Sequence, residues 1–146
     1  MAQYLIDTNV LLRLIDFSSE QHLAAENAIE QLFAKNHVIC VTAQNLIEFW
    51  SVATRPAKVN GLDWDTQATK QQIEQILSRF ILLEDSPEVL KHWLSLVSQY
   101  DIKGRRTHDA RLAAVMLAHG VTHLLTFNTD DFKSFMNLSL VHPNDL

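Results

Sequence analysis

Short apolar runs rich in β-branched and aromatic residues alternate along the chain with longer segments in which apolar residues recur at helical spacing. The short runs predict strands at Gln3 to Ile6, His37 to Val41, Phe80 to Leu83, His123 to Thr126 and Leu140 to Val141. The longer segments predict helices at about Glu20 to Lys35, Ala43 to Arg55, Asp65 to Arg79, Pro87 to Tyr100 and Thr107 to Gly120. Because parallel strands need crossover connections, this alternation predicts an α/β domain with a mostly parallel sheet covered by helices.

Local signals mark several of the helix ends. Ser18 and Gln21 have the spacing of a capping box before the first long helix, and Pro56 ends the second. Thr107 is expected to cap the start of the last helix and Gly120 its end.

Composition narrows the class of protein. Of 146 residues, 47% are hydrophobic, 20% are charged and only 3 are glycine, which is typical of a compact globular protein and predicts one domain over residues 1–146. The 12 Lys and Arg against 17 Asp and Glu give a net charge of −5. Most domains that bind nucleic acids carry a surplus of cations instead, so a nucleic-acid partner would have to be held locally.

The sequence also indicates a compartment. Cys40 is the single cysteine, so a disulfide framework is excluded. Strand-like sequence follows Met1 without a basic leader, and no segment approaches ~18 uninterrupted apolar residues. We therefore expect a cytoplasmic protein without a membrane span.

Asp7 is the only charged residue between Ala2 and Leu12, and it follows the first predicted strand directly. A carboxylate at the carboxyl end of a parallel strand lies where open α/β sheets bind their ligands. Capping of a short helix that starts near Val10 explains Asp7 equally well. Position alone leaves both interpretations open.

Glu48 is the single charged residue from residue 38 to residue 54, on a helix with apolar residues around most of its circumference. This pattern predicts a largely buried helix, in which a lone carboxylate persists when it is paired, hydrogen-bonded or bound to a metal ion. The alternative places Glu48 on a narrow solvated stripe with Gln44, Asn45 and Ser51.

Two further groups of polar residues complete the candidate chemistry. Asp109 shares the inward stripe of its helix within the first turn, where it either serves a site or stabilises the helix amino terminus. Asn128, Asp130 and Asp131 follow the fourth predicted strand, and turn formation explains this group as well as a ligand site does.

Other chemistries are excluded by composition. Cys40 has no thiol partner and the 7 His show no paired ligand spacing, which argues against a zinc site. With 3 glycines in the chain, neither of the Gly-rich nucleotide-binding fingerprints can form. The remaining oxygen ligands are those that Mg²⁺ or Mn²⁺ prefers.

Four motifs, taken in this order, resemble the PIN-domain family and, within it, the VapC-type toxins of prokaryotic toxin-antitoxin pairs. They are Leu5-Ile6-Asp7-Thr8-Asn9, Glu48-Phe49-Trp50 with Ala53-Thr54-Arg55-Pro56, His108-Asp109-Ala110-Arg111-Leu112, and Leu125-Thr126-Phe127-Asn128 with Asp131-Phe132. The resemblance runs from about residue 3 to residue 143. It implies a single three-layer domain in which helices flank a mostly parallel sheet of about five strands.

The resemblance also implies an activity, that of a metal-dependent endoribonuclease. The catalytic residues and metal ligands would be Asp7, Glu48 and Asp109, and the ion would be Mg²⁺, or Mn²⁺ in its place. Many relatives carry an Asp two residues after the threonine that matches Thr126. This chain has Asn128 there, so Asn128 or Asp131 is the candidate for the fourth metal-site position.

Supporting residues and partners follow from the same resemblance. Thr8, Asn9 and Thr126 look like the polar residues that orient the metal-binding carboxylates. The implied partners are an RNA substrate, a small antitoxin whose helix lies in an apolar groove near the site, and a second copy of the chain in a homodimer. Four cations are candidates to bind RNA phosphates, although a solvated charge is the more common role for such a residue: Arg55, Lys103, Arg105 and Arg106.

Two rival functions stay open at this point. The domain could keep the fold and bind RNA or a protein without cutting, because Asn128 weakens the fourth position. A phosphoacceptor signalling domain fits less well, since it needs a further Asp and a Lys at strand ends. If three acidic residues belong to a metal site, the rest of the chain is close to neutral, which predicts that RNA binding depends on the metal.

Overall fold

The computed structural model describes residues 1–135 and 138–146. Five strands form one parallel sheet: β1 (Gln3–Ile6), β2 (Val38–Thr42), β3 (Ile81–Leu83), β4 (His123–Leu125) and β5 (Ser139–Val141). The α-helices in these ranges are α1 (Thr8–Ile15), α2 (His22–Ala34), α3 (Ala43–Thr54), α4 (Thr66–Arg79), α5 (Pro87–Gln99) and α6 (Arg106–His119). The predicted α/β class and parallel sheet are confirmed.

The sheet separates two hydrophobic cores. Successive side chains of a strand point to opposite faces, so Tyr4 and Ile6 of β1 pack in the core that α1 to α4 cover, whereas Leu5 packs against α5 and α6. A strand that is buried on both faces must be apolar throughout, which is why Asp7 stands out in its segment. Helices on both faces give the three layers that the family resemblance implied.

The strand order across the sheet is β3-β2-β1-β4-β5, which creates a crevice beside β1 and β4. The chain leaves β1 into α1 on one face of the sheet. It leaves β4 toward the other face, through a 3₁₀ turn at Thr129–Phe132 whose Phe132 is buried against α6. Neighbouring strands whose connections diverge in this way open a ligand crevice at their carboxyl ends. Asp7 and Thr126 are the first residues after β1 and β4, so the fold places both at that crevice.

Two of the predicted helix ends are wrong and two are confirmed. Pro56 follows the end of α3, whose C-cap is Arg55. Gln21 precedes α2 without a side-chain cap, because the Ser18 hydroxyl donates to the Asp16 carboxylate instead of closing a capping box. Thr107 lies inside the first turn of α6. Gly120 ends α6 in the left-handed conformation with φ of 69°. None of the helices within the described ranges is long and apolar enough to cross a membrane.

Candidate active site

The Asp7 carboxylate lies at the centre of the candidate site. Its Oδ1 accepts a hydrogen bond from the Thr8 backbone N–H at 2.8 Å, which makes Asp7 the N-cap of α1. Its Oδ2 accepts a hydrogen bond from the Thr126 hydroxyl at 2.8 Å and a long one from Asn9 Nδ2 at 3.4 Å. The two interpretations of Asp7 are therefore compatible, because the cap uses one oxygen and the other faces the end of β4.

The hydrogen bonds around Thr126 have one possible direction. Thr126 is fully buried, and its hydroxyl accepts from the Asn128 backbone N–H at 3.0 Å and from Asn9 Nδ2 at 3.2 Å. The single hydroxyl proton is therefore available for Asp7. The Phe127 backbone N–H donates to Asn9 Oδ1 at 3.3 Å, which turns the amide nitrogen of Asn9 toward the carboxylate. Predicted supporting residues from β4 and α1 thus meet at Asp7.

Glu48 reaches the same crevice from α3. Its Oε1 accepts a hydrogen bond from the Thr8 hydroxyl at 2.8 Å. Thr8 therefore contacts both acidic residues, since its backbone N–H donates to Asp7 and its hydroxyl donates to Glu48. Glu48 is half-buried, whereas the neighbouring Ile47 is 67% exposed. The expectation of a largely buried helix is therefore wrong for this face of α3.

Two buried residues of α3 were missed in the sequence. Gln44 and Asn45 are 7% and 0% exposed, so the solvated stripe proposed for them is wrong. Asn45 forms a capping box with Thr42 at the start of α3 and donates from Nδ2 to the Thr8 hydroxyl at 3.1 Å. A threonine at a strand end followed three residues later by asparagine is a spacing that could have identified Asn45 in the sequence.

Gln44 connects α3 to the start of α6. Its Nε2 donates to the carbonyl oxygen of His108 at 2.9 Å, and its Oε1 accepts from Arg111 Nη1 at 3.1 Å. Arg111 is held in turn by Asp85, with 2.7 Å between Nη2 and Oδ2. These contacts fix the first turn of α6, which carries Asp109, relative to α3.

Asp109 lies half-buried in that first turn and has a perturbed acidity. Its pKa is raised to about 6, first because burial disfavours the charged form and then because the charges of Asp131, Asp7 and Glu48 repel it. Arg106, at the start of α6, acts in the opposite direction and lowers the pKa. The carboxyl group is consequently within reach of protonation near neutral pH.

The pKa of Asp7 is also shifted by burial and by the neighbouring charges. Burial raises its pKa, the hydrogen bonds from Thr126 and Thr8 lower it, and the charges of Glu48 and Asp131 raise it again. Carboxylates that follow β1, lie on α3 and follow β4 therefore act on one another across the crevice. The sequence-predicted acids are brought into one electrostatic cluster.

The residues after β4 differ in how they relate to this cluster. Asn128 is exposed, and its backbone N–H is the group that contacts Thr126. Asp130 is paired with Lys133, whose hydrogen bond and charge lower the pKa of Asp130. Asp131 is the residue of this turn whose charge raises the pKa of the Asp7 and Asp109 carboxyl groups.

The predicted phosphate-binding cations lie in three settings. Arg106 acts electrostatically on Asp109, and its guanidinium donates to the Ser134 hydroxyl. Arg105 is exposed beside it, and the exposed Lys103 lies 3.6 Å from Asp101. Arg55 is half-buried at the carboxyl end of α3.

The donor atoms of the site match the preferences of a hard divalent cation. In residues 1–135 and 138–146, no three His, Cys, Asp or Glu side chains are close enough to enclose a metal ion by themselves. Mg²⁺ does not need such a cage, since it usually keeps several waters and is held by one or two carboxylates. The mutual repulsion of the carboxylates is a cost that a divalent cation would offset. The residues present therefore fit a hydrated Mg²⁺ or Mn²⁺.

Comparison with known proteins supports the resemblance. The sequence profile of the PIN domain matches residues 4–136. Ribonuclease VapC24 of Mycobacterium tuberculosis (strain CDC 1551 / Oshkosh) is 30% identical over 131 residues, which make up 89% of this chain and 89% of that protein. The crystal structure of VapBC2 from Rickettsia felis bound to a DNA fragment from their promoter has a TM-score of 0.73 at 22% identity, over 96% of this chain and 98% of that chain. The structure of VapBC-1 from nontypeable Haemophilus influenzae has a TM-score of 0.73 at 18% identity, over 97% and 98% of the two chains.

Proposed function

Because this chain belongs to the PIN domain family, we propose that it is a Mg²⁺-dependent endoribonuclease and the toxin of a type II toxin-antitoxin pair. The observation that carries the proposal is the cluster of mutually repelling carboxylates from Asp7, Glu48, Asp109 and Asp131 at the carboxyl ends of the strands. Such an arrangement costs free energy in the absence of a ligand, so a cation-dependent role explains it better than a structural one.

Asp7 and Asp109 would hold the ion directly, with Glu48 completing the set and Asp131 in the fourth position in place of Asn128. A divalent cation bound there would lower the pKa of a coordinated water and stabilise the leaving oxygen of the phosphodiester. Mn²⁺ has the same preference for oxygen ligands and would substitute for Mg²⁺.

The surrounding residues prepare the carboxylates for this role. Thr126 and the Thr8 backbone N–H each donate to a different oxygen of Asp7, which fixes the plane of the carboxylate. The Thr8 hydroxyl occupies Glu48 Oε1 and leaves Oε2 to accept a proton from the attacking water. Arg105 and Arg106, where the chain enters α6, would neutralise phosphates on either side of the scissile bond.

A second function is favoured by two observations and belongs to a different class. Asn128 contacts Thr126 through its backbone N–H and not Asp7 through its side chain. In the described residues, no three His, Cys, Asp or Glu side chains are close enough to hold a metal ion by themselves. A module that binds RNA or protein without cutting would have these properties. Such a module should bind Mg²⁺ poorly, so calorimetric titration of the metal-free protein with MgCl₂ separates the two functions.

Cleavage of RNA by the purified protein tests the proposal. We expect cleavage in Mg²⁺, none in EDTA, and recovery when Mg²⁺ or Mn²⁺ is returned. Asp7→Asn should reduce the rate by at least about 100-fold, because it removes a charge that the ion requires. Asp130→Asn, a matched change at an acid paired with Lys133, is the control. Cleavage that persists in EDTA would refute metal dependence, and folded protein that never cleaves would favour the binding module.

The partners are proposed from the relatives and from one surface. Leu46, Ile47, Trp50 and Ile73 line an open apolar groove of about 310 Å³ between α3 and α4, on the helix that carries Glu48. An antitoxin helix seated there would lie next to the site and block RNA. Co-expression with a small DNA-binding protein encoded next to this gene should give a stable complex without nuclease activity. Light scattering of the chain alone tests the proposed homodimer.

A further inference from the structure

Asn45 is a fully buried amide whose three polar contacts belong to two different parts of the molecule. Its Oδ1 accepts from the Thr42 backbone N–H at 2.9 Å and from the Thr42 hydroxyl at 3.1 Å. Its Nδ2 donates to the Thr8 hydroxyl at 3.1 Å. One side of the amide therefore belongs to the start of α3, and the other side reaches the first residue of α1.

The hydrogen bonds run in series from Thr42 to Asn45, Thr8 and Glu48, and the backbone N–H of Thr42 determines the direction of each one. A backbone N–H can only donate, so the atom of Asn45 that faces Thr42 must be the amide oxygen. The amide nitrogen then faces Thr8 and donates to its hydroxyl. The Thr8 hydroxyl has one proton, and its oxygen lies 2.8 Å from Glu48 Oε1. With its acceptor side engaged by Asn45, the hydroxyl donates that proton to Glu48.

We propose that Asn45 is a positioning residue for the metal site, acting through the Thr8 hydroxyl to hold Glu48 as a hydrogen-bond acceptor in one orientation. This inference rests on the proposed function, because it assigns Glu48 to the site of a divalent cation. A hydroxyl that is free to rotate could instead accept a hydrogen bond or point elsewhere, and Glu48 would lose its fixed orientation. Residues that orient metal ligands in this way typically change metal affinity by about 10- to 100-fold when they are removed.

The cap of α3 is the competing explanation for a buried asparagine at this place. Thr42 offers a matched control, since the two residues share the capping box but only Asn45 contacts Thr8. Thr42→Val removes the capping hydroxyl and keeps the backbone N–H that orients the amide of Asn45. Asn45→Ala removes both the cap and the contact with Thr8. Both variants should lower the melting temperature, whereas only Asn45→Ala should weaken Mg²⁺ binding.

A double-mutant cycle with Thr8→Val tests the path of the effect. Mg²⁺ affinity is measured by calorimetry on the metal-free full chain, and RNA cleavage by the same proteins is measured in parallel. We expect Asn45→Ala to weaken Mg²⁺ binding about 10-fold or more alone and less than about 2-fold in the Thr8→Val background, since coupled residues are non-additive. In a Thr8→Ser background the hydroxyl is kept, so the full effect of Asn45→Ala should return.

The outcomes separate this inference from the proposed function. If the unmodified chain binds Mg²⁺ and cleaves RNA but Asn45→Ala has the same effect with and without the Thr8 hydroxyl, the positioning role is wrong and Asn45 is a helix cap. An unchanged Mg²⁺ affinity in Asn45→Ala would also overturn it. If the unmodified folded chain neither binds Mg²⁺ nor cleaves RNA, the proposed function itself fails and the positioning role fails with it.

Discussion

Replacing Asp109 by asparagine should stabilise the metal-free protein, although the change removes a proposed metal ligand. In the folded chain, burial and the charges of Asp131, Asp7 and Glu48 raise the pKa of Asp109 from 3.8 to about 6. The charged form is therefore less favourable in the folded state than in the unfolded state. An asparagine side chain has nearly the same shape as aspartate and carries no charge, so the substitution removes that repulsion.

The magnitude follows from the size of the shift. At about 1.4 kcal/mol per pH unit, a rise from 3.8 to about 6 corresponds to an upper limit of about 3 kcal/mol. Asp109 is only half-buried, and solvent screening reduces this figure to roughly 1–2 kcal/mol. The charge also interacts favourably with the amino terminus of α6, and its loss costs about 0.5 kcal/mol. A net gain of about 1 kcal/mol remains, or about 2–4 °C in melting temperature for a domain of this size.

The stability that Asp109→Asn gains depends on pH. A folded-state pKa above the unfolded value means that the folded state binds more protons between about pH 4 and pH 6, so stability falls as the pH rises through this range. The full penalty is present above about pH 6, where Asp109 is charged in both states. The advantage of Asp109→Asn should accordingly be complete at about pH 8 and absent at about pH 4.

Thermal unfolding of both proteins in EDTA at these two pH values is the assay. Asp130→Asn is the control for charge, because Asp130 is paired with Lys133 and has a lowered pKa. It should give no stabilisation at either pH. Addition of Mg²⁺ should stabilise the unmodified protein more than Asp109→Asn, because only the unmodified site keeps all of the proposed ligands. A destabilised Asp109→Asn at about pH 8, or an equal gain at both pH values, would refute the electrostatic reasoning.

Three further substitutions test other parts of the structure. Thr126→Val should destabilise the fold by about 1–3 kcal/mol, measured by urea unfolding, because it leaves the buried partners of the hydroxyl unsatisfied. An unchanged stability would contradict the hydrogen-bond network around Asp7. Gln44→Leu should lower the rate of RNA cleavage about 10-fold or more at saturating Mg²⁺, since it removes the hydrogen bond between α3 and the turn that carries Asp109. The far-ultraviolet circular dichroism spectrum should be unchanged, and full activity would show that this hydrogen bond is dispensable. Gly120→Ala should cost about 1 kcal/mol in thermal unfolding because φ is 69° at this position, and an unchanged melting temperature would show that the helix end relaxes.

Much of the fold follows from local patterns. Strand and helix positions could be predicted because a two-sided buried strand must be apolar throughout and a helix with one covered face must repeat its apolar residues at 3.6-residue spacing. The helix ends were less predictable, since a serine such as Ser18 serves a turn or a cap with the same hydroxyl.

Local patterns in the sequence also predicted part of the candidate site. Asp7 and Glu48 could be recognised because each is a lone charge in an otherwise apolar segment. Gln44 gave no such signal, because an amide on a helix is ordinary until the residues packed against it are known. Asn45 could have been identified as a helix cap from its spacing to Thr42, but not as a contact of Thr8. Ile47 shows the reverse case, as an apolar side chain that the fold leaves exposed.

The sequence by itself therefore determined the α/β class, the order of the five strands and the five longer helices, and the identity of the isolated acids, because these depend on residues near one another in the chain. The tertiary structure alone decided which of these acids act on one another, that the charge of Asp131 acts on Asp7 and Asp109, and in which direction the hydrogen bonds run. The reason is sequence separation: the hydrogen bond between Thr126 and Asp7 spans 119 residues, and that between Gln44 and His108 spans 64. No local pattern encodes such contacts, because they form only when the sheet places β1 beside β4 and the fold brings the start of α3 to the first turn of α6.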